Sequence, residues 1–483
     1  MPSPTERLEV WMNGLHAATW SVSAGVHQLH YDPDWVANPA GRALSLSLPF
    51  VPGNIPHRGE VIESYFDNLL PDSADIRKRL HTRFGCRTPE TFDLLTAIGR
   101  DCVGAVQLLP PDTLPESPYS IQAEALDNSD VERLLAATVS NAPAFGDSPA
   151  DFRISIAGAQ EKTALLWHRK RWHRPLGSTP TTHILKLPLG LVGNLKANMT
   201  DSVENEWLCG ELLRGFGLPV AHSYPEQFGD QKVLVVERFD RAWQDSRWIA
   251  RLPQEDFCQA LGIPGSKKYE KQGGPGMKDI LRILAASEEP ADGATFVKAQ
   301  LLFWALAATD GHAKNFSLFQ RPDSSYRMTP LYDVLSAWPI IGKGPRQLAY
   351  QKAELAMAVR RKNTHYHLAG ILRRHWDNVA KLAGIKDASE IITDVVTAAP
   401  SAISQVQSRL PKEFPASVAD KIFTGLEQSL AQLRCVSVRQ KWQITSAPDA
   451  YPKLRGCSGA QRAPSKVFAG AMGSRHPQQA TGI

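Results

Sequence analysis

The sequence predicts an α+β chain in which a compact α+β unit precedes two lobes, the first rich in strands and the second mainly helical. Three observations carry this. Residues 7–12 alternate apolar and polar and meet Asn13-Gly14, a pair suited to the left-handed φ values of a two-residue hairpin turn; Leu15 to Val22 supplies the returning strand. Strand-like segments recur at 152–157, 162–168, 181–187 and 232–239. After about residue 245 the pattern is helical, interrupted by a hairpin pattern over 316–332.

Within the first unit, Leu44-Ser45-Leu46-Ser47-Leu48 alternates cleanly and predicts another strand. Ser73 caps a helix running through Ile76, Leu80 and Phe84 to Gly85. Thr91 to Ile98 continues as helix and Val103 to Leu109 as strand, so the unit spans residues 1–110. Residues 111–150 are rich in Pro, Asp and Ser and predict a linker with one short helix around Val131 to Thr138. Residues 151–245 form the strand-rich lobe, with a helix over about 202–216 capped by Asp201 or Ser202; 246–435 form the helical lobe. Residues 436–483 are rich in Ala, Gly, Ser, Pro and Gln and predict a disordered tail.

Composition bounds the function. Apolar content of 43% and charged content of 21% are those of a soluble globular chain. No apolar run approaches the ~20 residues of a membrane span, and Glu6, Arg7 and Glu9 leave no room for a signal peptide. Six scattered cysteines without a Cys-x-x-Cys pair argue for a cytoplasmic protein without a disulfide framework. The net charge of +5 misleads, because the tail after residue 435 holds +6 and the body sums to −1. The overall charge is therefore no sign of a nucleic-acid-binding body.

The chemistry is concentrated in Ala308-Thr309-Asp310-Gly311-His312-Ala313-Lys314-Asn315 and Leu331-Tyr332-Asp333. Protein-kinase catalytic loops also place an Asn five residues after an Asp and then use a separate Asp for magnesium. One carboxylate accepts the proton of the substrate hydroxyl, while an Asn carbonyl and a second carboxylate hold Mg²⁺, which favours oxygen ligands and keeps several waters. A buried helix over 296–308 would deliver Asp310, and the 316–332 hairpin would bring Asn315 and Asp333 together. The predicted architecture is thus a two-lobed protein-kinase-like fold with an additional N-terminal α+β domain and a mainly helical C-terminal lobe. ATP also needs a lysine. Lys186 sits in the apolar strand Thr182 to Pro188, and Glu204 or Glu206 on the following helix would partner it; periodicity does not choose between them. Ser155-Ile156-Ala157-Gly158-Ala159-Gln160-Glu161-Lys162 is a small-residue loop whose N–H groups can approach phosphate, though alone it reads as an ordinary hairpin turn. Val233 to Asp240 is an apolar strand leading to a hinge. His312 and Lys314 are either phosphate-neutralising or solvated loop residues, and His365-x-His367 lacks a third metal ligand.

Taken together with Tyr65-Phe66-Asp67-Asn68-Leu69-Leu70-Pro71-Asp72, Gly99-Arg100-Asp101-Cys102-Val103-Gly104-Ala105 and Leu331-Tyr332-Asp333-Val334-Leu335-Ser336, these motifs resemble the HipA family of serine/threonine kinase toxins over residues 7 to about 430. The resemblance implies a type II toxin–antitoxin kinase that uses ATP and Mg²⁺. It implies a HipB-like helix-turn-helix antitoxin, operator DNA bound through the antitoxin complex, and a protein substrate such as glutamyl-tRNA synthetase. By resemblance, Asp310 is the catalytic base, and Asn315 and Asp333 are the magnesium ligands. Ile156, Ala157, Gly158, Ala159, Gln160 and Glu161 form the phosphate loop, and Lys186 is the ATP lysine. Glu237, Arg238 and Phe239 are the adenine contacts, with His312 and Lys314 also on the nucleotide. Ser155 matches the serine whose autophosphorylation inactivates the kinase, and Lys381, beside Arg373, Arg374, His375 and Trp376, matches a DNA-phosphate contact or else a solvated helix face. Two other readings are a catalytically silent co-repressor, which the intact Asp310, Asn315, Asp333 and Lys186 disfavour, and a small-molecule kinase of the aminoglycoside-phosphotransferase kind. The full N-terminal domain and Ala308-Thr309 before Asp310 fit that last class poorly.

Overall fold

Asn13 (φ 48°) and Gly14 (φ 84°) both occupy the left-handed region, so the predicted turn closes as its residues demand. It joins β1 (Glu6–Met12) to β2 (Leu15–Ser23). With β3 (Val26–Tyr31), β4 (His57–Arg58) and β5 (Val106–Leu109) these form an antiparallel sheet of order β4-β3-β2-β1-β5. A short helix α1 (Pro33–Ala37) follows β3. The helices α2 (Glu60–Asp67), α3 (Ala74–Phe84) and α4 (Thr91–Ile98) complete the unit, and the Trp20 ring stacks on Phe66 of α2 at 4.1 Å. The Ser73 hydroxyl accepts from Ile76 N, and Gly85 ends α3 at φ 61°.

The structure is a computed structural model that describes residues 6–139, 157–386 and 388–434, and these form one compact unit. The tail over 436–483 and most of the strand expected at 152–157 lie outside the described residues.

The segment 44–48 is not a strand. A single bridge pairs Ser45 with Leu48, and the turn between them aims the Ser45 hydroxyl and the Leu46 N–H at the Glu255 carboxylate. Its alternation records the burial of Leu44 and Leu48, and the polar groups between them are satisfied by that carboxylate instead of a neighbouring strand.

The strand-rich lobe also departs from expectation at its start. α5 (Asn128–Thr138) is the short helix expected in the linker, but β6 (Ala123–Leu126), ahead of it, is a strand where none is expected, and it pairs antiparallel with β8 (Arg171–Pro175) at a sheet edge. The rest of that sheet is β7 (Lys162–His168), β9 (His183–Lys186), β12 (Ser223–Phe228) and β13 (Gln231–Glu237), in the order β12-β13-β9-β7-β8-β6. β10 (Gly190–Val192) and β11 (Ala197–Met199) form a small hairpin ahead of α6 (Ser202–Gly215).

A hairpin of β14 (Arg241–Gln244) and β15 (Trp248–Arg251) leads into the second lobe. There β16 (Gln254–Asp256) pairs with β17 (Ser317–Gln320), and β17 with β18 (Tyr326–Met328). Around them lie α7 (Phe257–Ala260), α8 (Met277–Leu284) and α9 (Asp292–Ala305). A hairpin of β19 (Glu354–Arg360) and β20 (Thr364–His367) precedes α10 (Trp376–Leu382), α11 (Ala388–Arg409) and α12 (Ala416–Leu433). α9 is apolar on nearly every face and is buried accordingly, with Phe296, Phe303 and Trp304 in the central core.

One buried ionic cluster ties the N-terminal unit to the rest. Asp101 accepts from Arg238, Arg241, Arg251 and the Thr181 hydroxyl, and Asp240 pairs with Arg238 and Arg241. Gly104, at φ +75°, lets its N–H reach Asp240 at 2.7 Å, and a Cβ there would meet the Gln254 carbonyl at 2.8 Å. These contacts account for the Gly99 to Ala105 motif. Three guanidinium groups at 1–2% side-chain exposure need carboxylate partners, and against the opposing effect of burial they hold the Asp101 carboxyl well below its ordinary range and lower that of Asp240.

Candidate active site

α9 stops at Ala305, and Ala307, at φ 51°, turns the chain into the loop that carries Asp310. A 3₁₀ turn over Ala313–Asn315 then feeds β17. The Asn315 side-chain amide donates to the Asp310 carbonyl (2.9 Å) and towards the Asp333 carbonyl (3.4 Å), so Asn315 fastens both ends of the expected triad. Asp333 has φ +61°, a conformation that few non-glycine residues adopt and that is retained where surrounding contacts fix it. Here Leu331 bridges Val220 and the Tyr332 hydroxyl donates to the Lys314 carbonyl at 2.9 Å.

Lys186 of β9 reaches between two carboxylates, donating to Glu206 on α6 (2.6 Å) and to Asp333 (2.8 Å). The partner left open by the sequence is therefore Glu206; Glu204 pairs with Lys232. Burial alone would neutralise Lys186, and the two carboxylates outweigh it and hold the ammonium charged. Burial also pushes Glu206 up, opposed by Lys186, while Lys186 and Lys162 hold Asp333 far down.

Lys186, Asp310, Asn315 and Asp333 open onto one cleft. Apolar side chains of Ile184, Val236, Phe239 and Leu335 line one end, and charged groups line the other. Asp310 lies at the mouth, accessible yet deep among protein atoms; burial raises its carboxyl and the Tyr269 hydroxyl, which donates to it, opposes that rise. His312 is 4% exposed, and burial pushes it down to about 3, so it enters the site as a neutral imidazole and not as the cation the sequence offered. Lys314 is charged and pairs with Asp72.

Of the phosphate loop, Ala157 to Glu161 line or flank the cleft; Ser155 and Ile156 lie outside the described residues. Gly158 has φ +110°, and a Cβ there would stand 2.6 Å from the Lys162 ammonium. Gln160 donates to the Leu187 carbonyl, and Glu161 pairs with Arg79. Glu237 and Phe239 stand at the apolar end, but the Arg238 guanidinium is turned away into the Asp101–Asp240 cluster. Arg238 itself still lines the cleft, with its guanidinium engaged by Asp101 and Asp240. The sequence missed Asp72, Lys162, Lys268 and Tyr269, all drawn to this place by tertiary contacts. Burial and Lys186 lower Lys162 to about 8.

A divalent cation fits the donor set. With the Asn315 amide N–H groups engaged, its carbonyl oxygen remains for an ion beside the Asp333 carboxylate, a sparse oxygen site of the kind that suits Mg²⁺ together with phosphate and water. Among the described residues no group of three or more His, Cys, Asp or Glu could hold a metal, His365 and His367 included. Lys381 is exposed on α10, in a shallow depression shared with Arg373, Arg374, Asp377 and Lys386, apart from the cleft.

Comparison with known proteins settles the family. Residues 154–403 match the HipA-like C-terminal domain and residues 8–109 the HipA N-terminal domain. The chain belongs to the HipA family. Among its relatives, the serine/threonine-protein kinase toxin HipA of Shewanella oneidensis is 30% identical over 66% of this chain and 72% of its own. The protein Y4mE of Sinorhizobium fredii is 31% identical over 83% of this chain and 91% of its own. A solved structure from the Shewanella oneidensis MR-1 toxin–antitoxin system, of HipA, HipB and operator DNA, superposes with a TM-score of 0.69 at 25% identity, covering 88% of this chain and 96% of that one. As a member of that family of serine/threonine kinase toxins, this chain is a kinase-like α+β enzyme. No helix among its described residues is long and apolar enough to cross a membrane.

Proposed function

We propose that this chain is an ATP- and Mg²⁺-dependent serine/threonine protein kinase that acts as the toxin of a type II toxin–antitoxin system in the cytoplasm. The observation that carries the reading is Lys186 held between Glu206 and Asp333, with Asn315 joining Asp333 to Asp310 on one cleft. Adenine enters between Ile184, Val236 and Phe239, beside the Glu237 backbone. Lys186 and the N–H groups of residues 157–161 hold the phosphates. Mg²⁺, when bound at Asn315 and Asp333, supplies charge neutralisation of the transferring phosphoryl group. Asp310 orients the substrate hydroxyl and takes its proton, and the accessible mouth leaves room for a protein substrate.

The substrate we propose is a translation factor, glutamyl-tRNA synthetase by family resemblance, whose phosphorylation arrests growth and promotes persistence. Autophosphorylation at Ser155 would place a dianion next to the loop that receives ATP phosphates and so switch the enzyme off. A HipB-like antitoxin partners the chain and carries it to operator DNA, with Lys381 adding a phosphate contact.

The test is growth after induction without antitoxin. Wild type arrests growth, and Asp310→Ala and Asp333→Ala do not. Arrest by a variant verified as inactive in phosphoryl transfer would sink the proposal and favour the co-repressor reading.

A further inference from the structure

The charged end of the cleft contains a carboxylate that belongs to neither lobe. Asp72 lies in the N-terminal unit, between α2 and α3, and accepts from Lys314 Nζ (2.6 Å) and Lys268 Nζ (2.7 Å). Its backbone N–H donates to the Gly158 carbonyl at 3.0 Å, and Pro71 forms a parallel bridge with Gly158. Seven residues on, Arg79 of α3 pairs with Glu161. One short stretch of the N-terminal unit therefore grips the phosphate loop at residues 158 and 161 and, at the same time, two lysines of the helical lobe.

The physics of the lysines gives this contact a purpose. Lys314 has 4% side-chain exposure, and a buried ammonium is costly to keep unless a carboxylate pairs with it, as Asp72 does at 2.6 Å. Burial by itself would raise Asp72; Lys314 and Lys268 hold it down at about 2, so the pairing persists through the physiological range. The same device already operates at Lys186, which Glu206 fixes.

We propose that residues 71–79 of the N-terminal unit are the positioning element for the phosphate end of the nucleotide site, Asp72 fixing Lys314 and Lys268 as Glu206 fixes Lys186, and Arg79 fixing the loop through Glu161. The site is complete only while the N-terminal unit is docked. The proposal rests on the reading of the cleft as an ATP site.

The experiment measures Kd for ATP and for adenosine, by calorimetry on the full chain, in wild type, Asp72→Asn and Arg79→Gln. Adenosine has no phosphates and reads only the apolar end. The expected result is a loss of about tenfold in ATP affinity for Asp72→Asn, the scale of one charge-assisted hydrogen bond, with adenosine unchanged. Arg79→Gln moves ATP in the same direction by less. Parallel loss of ATP and adenosine would show a merely structural role and overturn the proposal. Unchanged or tighter ATP binding in Asp72→Asn would mean that the carboxylate competes with phosphate, and would overturn it too. If Asp72→Asn does not fold, Arg79→Gln, on a partly exposed helix face, is judged by the same ratio. Wild type that binds neither ligand would remove the ATP reading itself, a different failure from wild type that binds ATP and variants that match it.

Discussion

Replacing Lys186 with Met separates the electrostatic role of this residue from its role in packing. The ammonium has 7% side-chain exposure and stands 2.6 Å from Glu206 and 2.8 Å from Asp333. Its removal leaves two carboxylates facing each other with Lys162 as the nearest remaining cation. Breaking a buried pair from one side costs ~3–5 kcal/mol. The lower end applies, about 3 kcal/mol, because Glu206 is already pushed up by burial and takes a proton readily. For a chain of this length that is a fall in Tm of roughly 3–6 °C. The penalty depends on pH with a definite sign. Asp333 is held below its ordinary value by Lys186, so the stability it contributes is present above about pH 4 and lost as the pH falls through its folded value. The deficit of Lys186→Met should therefore be full at pH 7 and shrink on acidification. Glu206→Gln is the control. It removes a buried charge while Lys186 keeps Asp333, so stability should stay within ~1 kcal/mol of wild type. Its kcat should fall at least tenfold, about 1.4 kcal/mol, because Lys186 is then drawn onto the carboxylate that must serve the metal. Urea unfolding without nucleotide and steady-state kinetics measure both. Equal destabilisation by the two variants, or none by Lys186→Met, would refute the reasoning.

Three further outcomes follow from the same geometry. Asp101→Asn should lose ~3–5 kcal/mol in urea unfolding, since Arg251 would lose its carboxylate and Arg238 and Arg241 would keep Asp240 alone; a loss under 1 kcal/mol would remove the cluster from its structural role. Glu255 is pushed up to about 7 by burial, so its folded form resists ionising and the penalty grows as pH rises from about 4.5 to 7. Relative to Glu255→Gln, wild type should lose on the order of 3 kcal/mol between pH 4 and pH 8, and a flat difference would contradict this. Tyr269→Phe removes the donor that opposes the rise of Asp310, so the acidic limb of kcat/KM should move to higher pH; an unmoved limb would detach Tyr269 from the base.

Much of the site was legible because its chemistry is local. Asp310 and Asn315 share one loop, and Asp333 returns on the hairpin that the Gln320 to Ser325 turn announces. Lys186 was conspicuous as a charge in an apolar strand. Its partner was not, because α6 is buried on most faces and Glu204 and Glu206 both point at cations, Lys232 and Lys186, that only the sheet register brings near. Asp72, Lys268 and Tyr269 were invisible for the same reason. Asp72 and Lys314 are 242 residues apart, and no periodicity encodes such a contact. The engagement of the Arg238 guanidinium by Asp101, 137 residues away in another unit, is likewise a contact that no local pattern encodes. Ala123–Leu126 is too short and too exposed to announce a strand without β8 beside it.

The central claim is phosphoryl transfer with Asp310 as base. The most direct measurement follows label from γ-³²P-ATP with Mg²⁺ in wild type and Asp310→Asn, with ATP binding measured on the same samples and phosphosites mapped. The account predicts that both proteins bind ATP and only wild type transfers phosphate, with label on Ser155. Equal transfer by the two proteins, or no ATP binding by wild type, would contradict it.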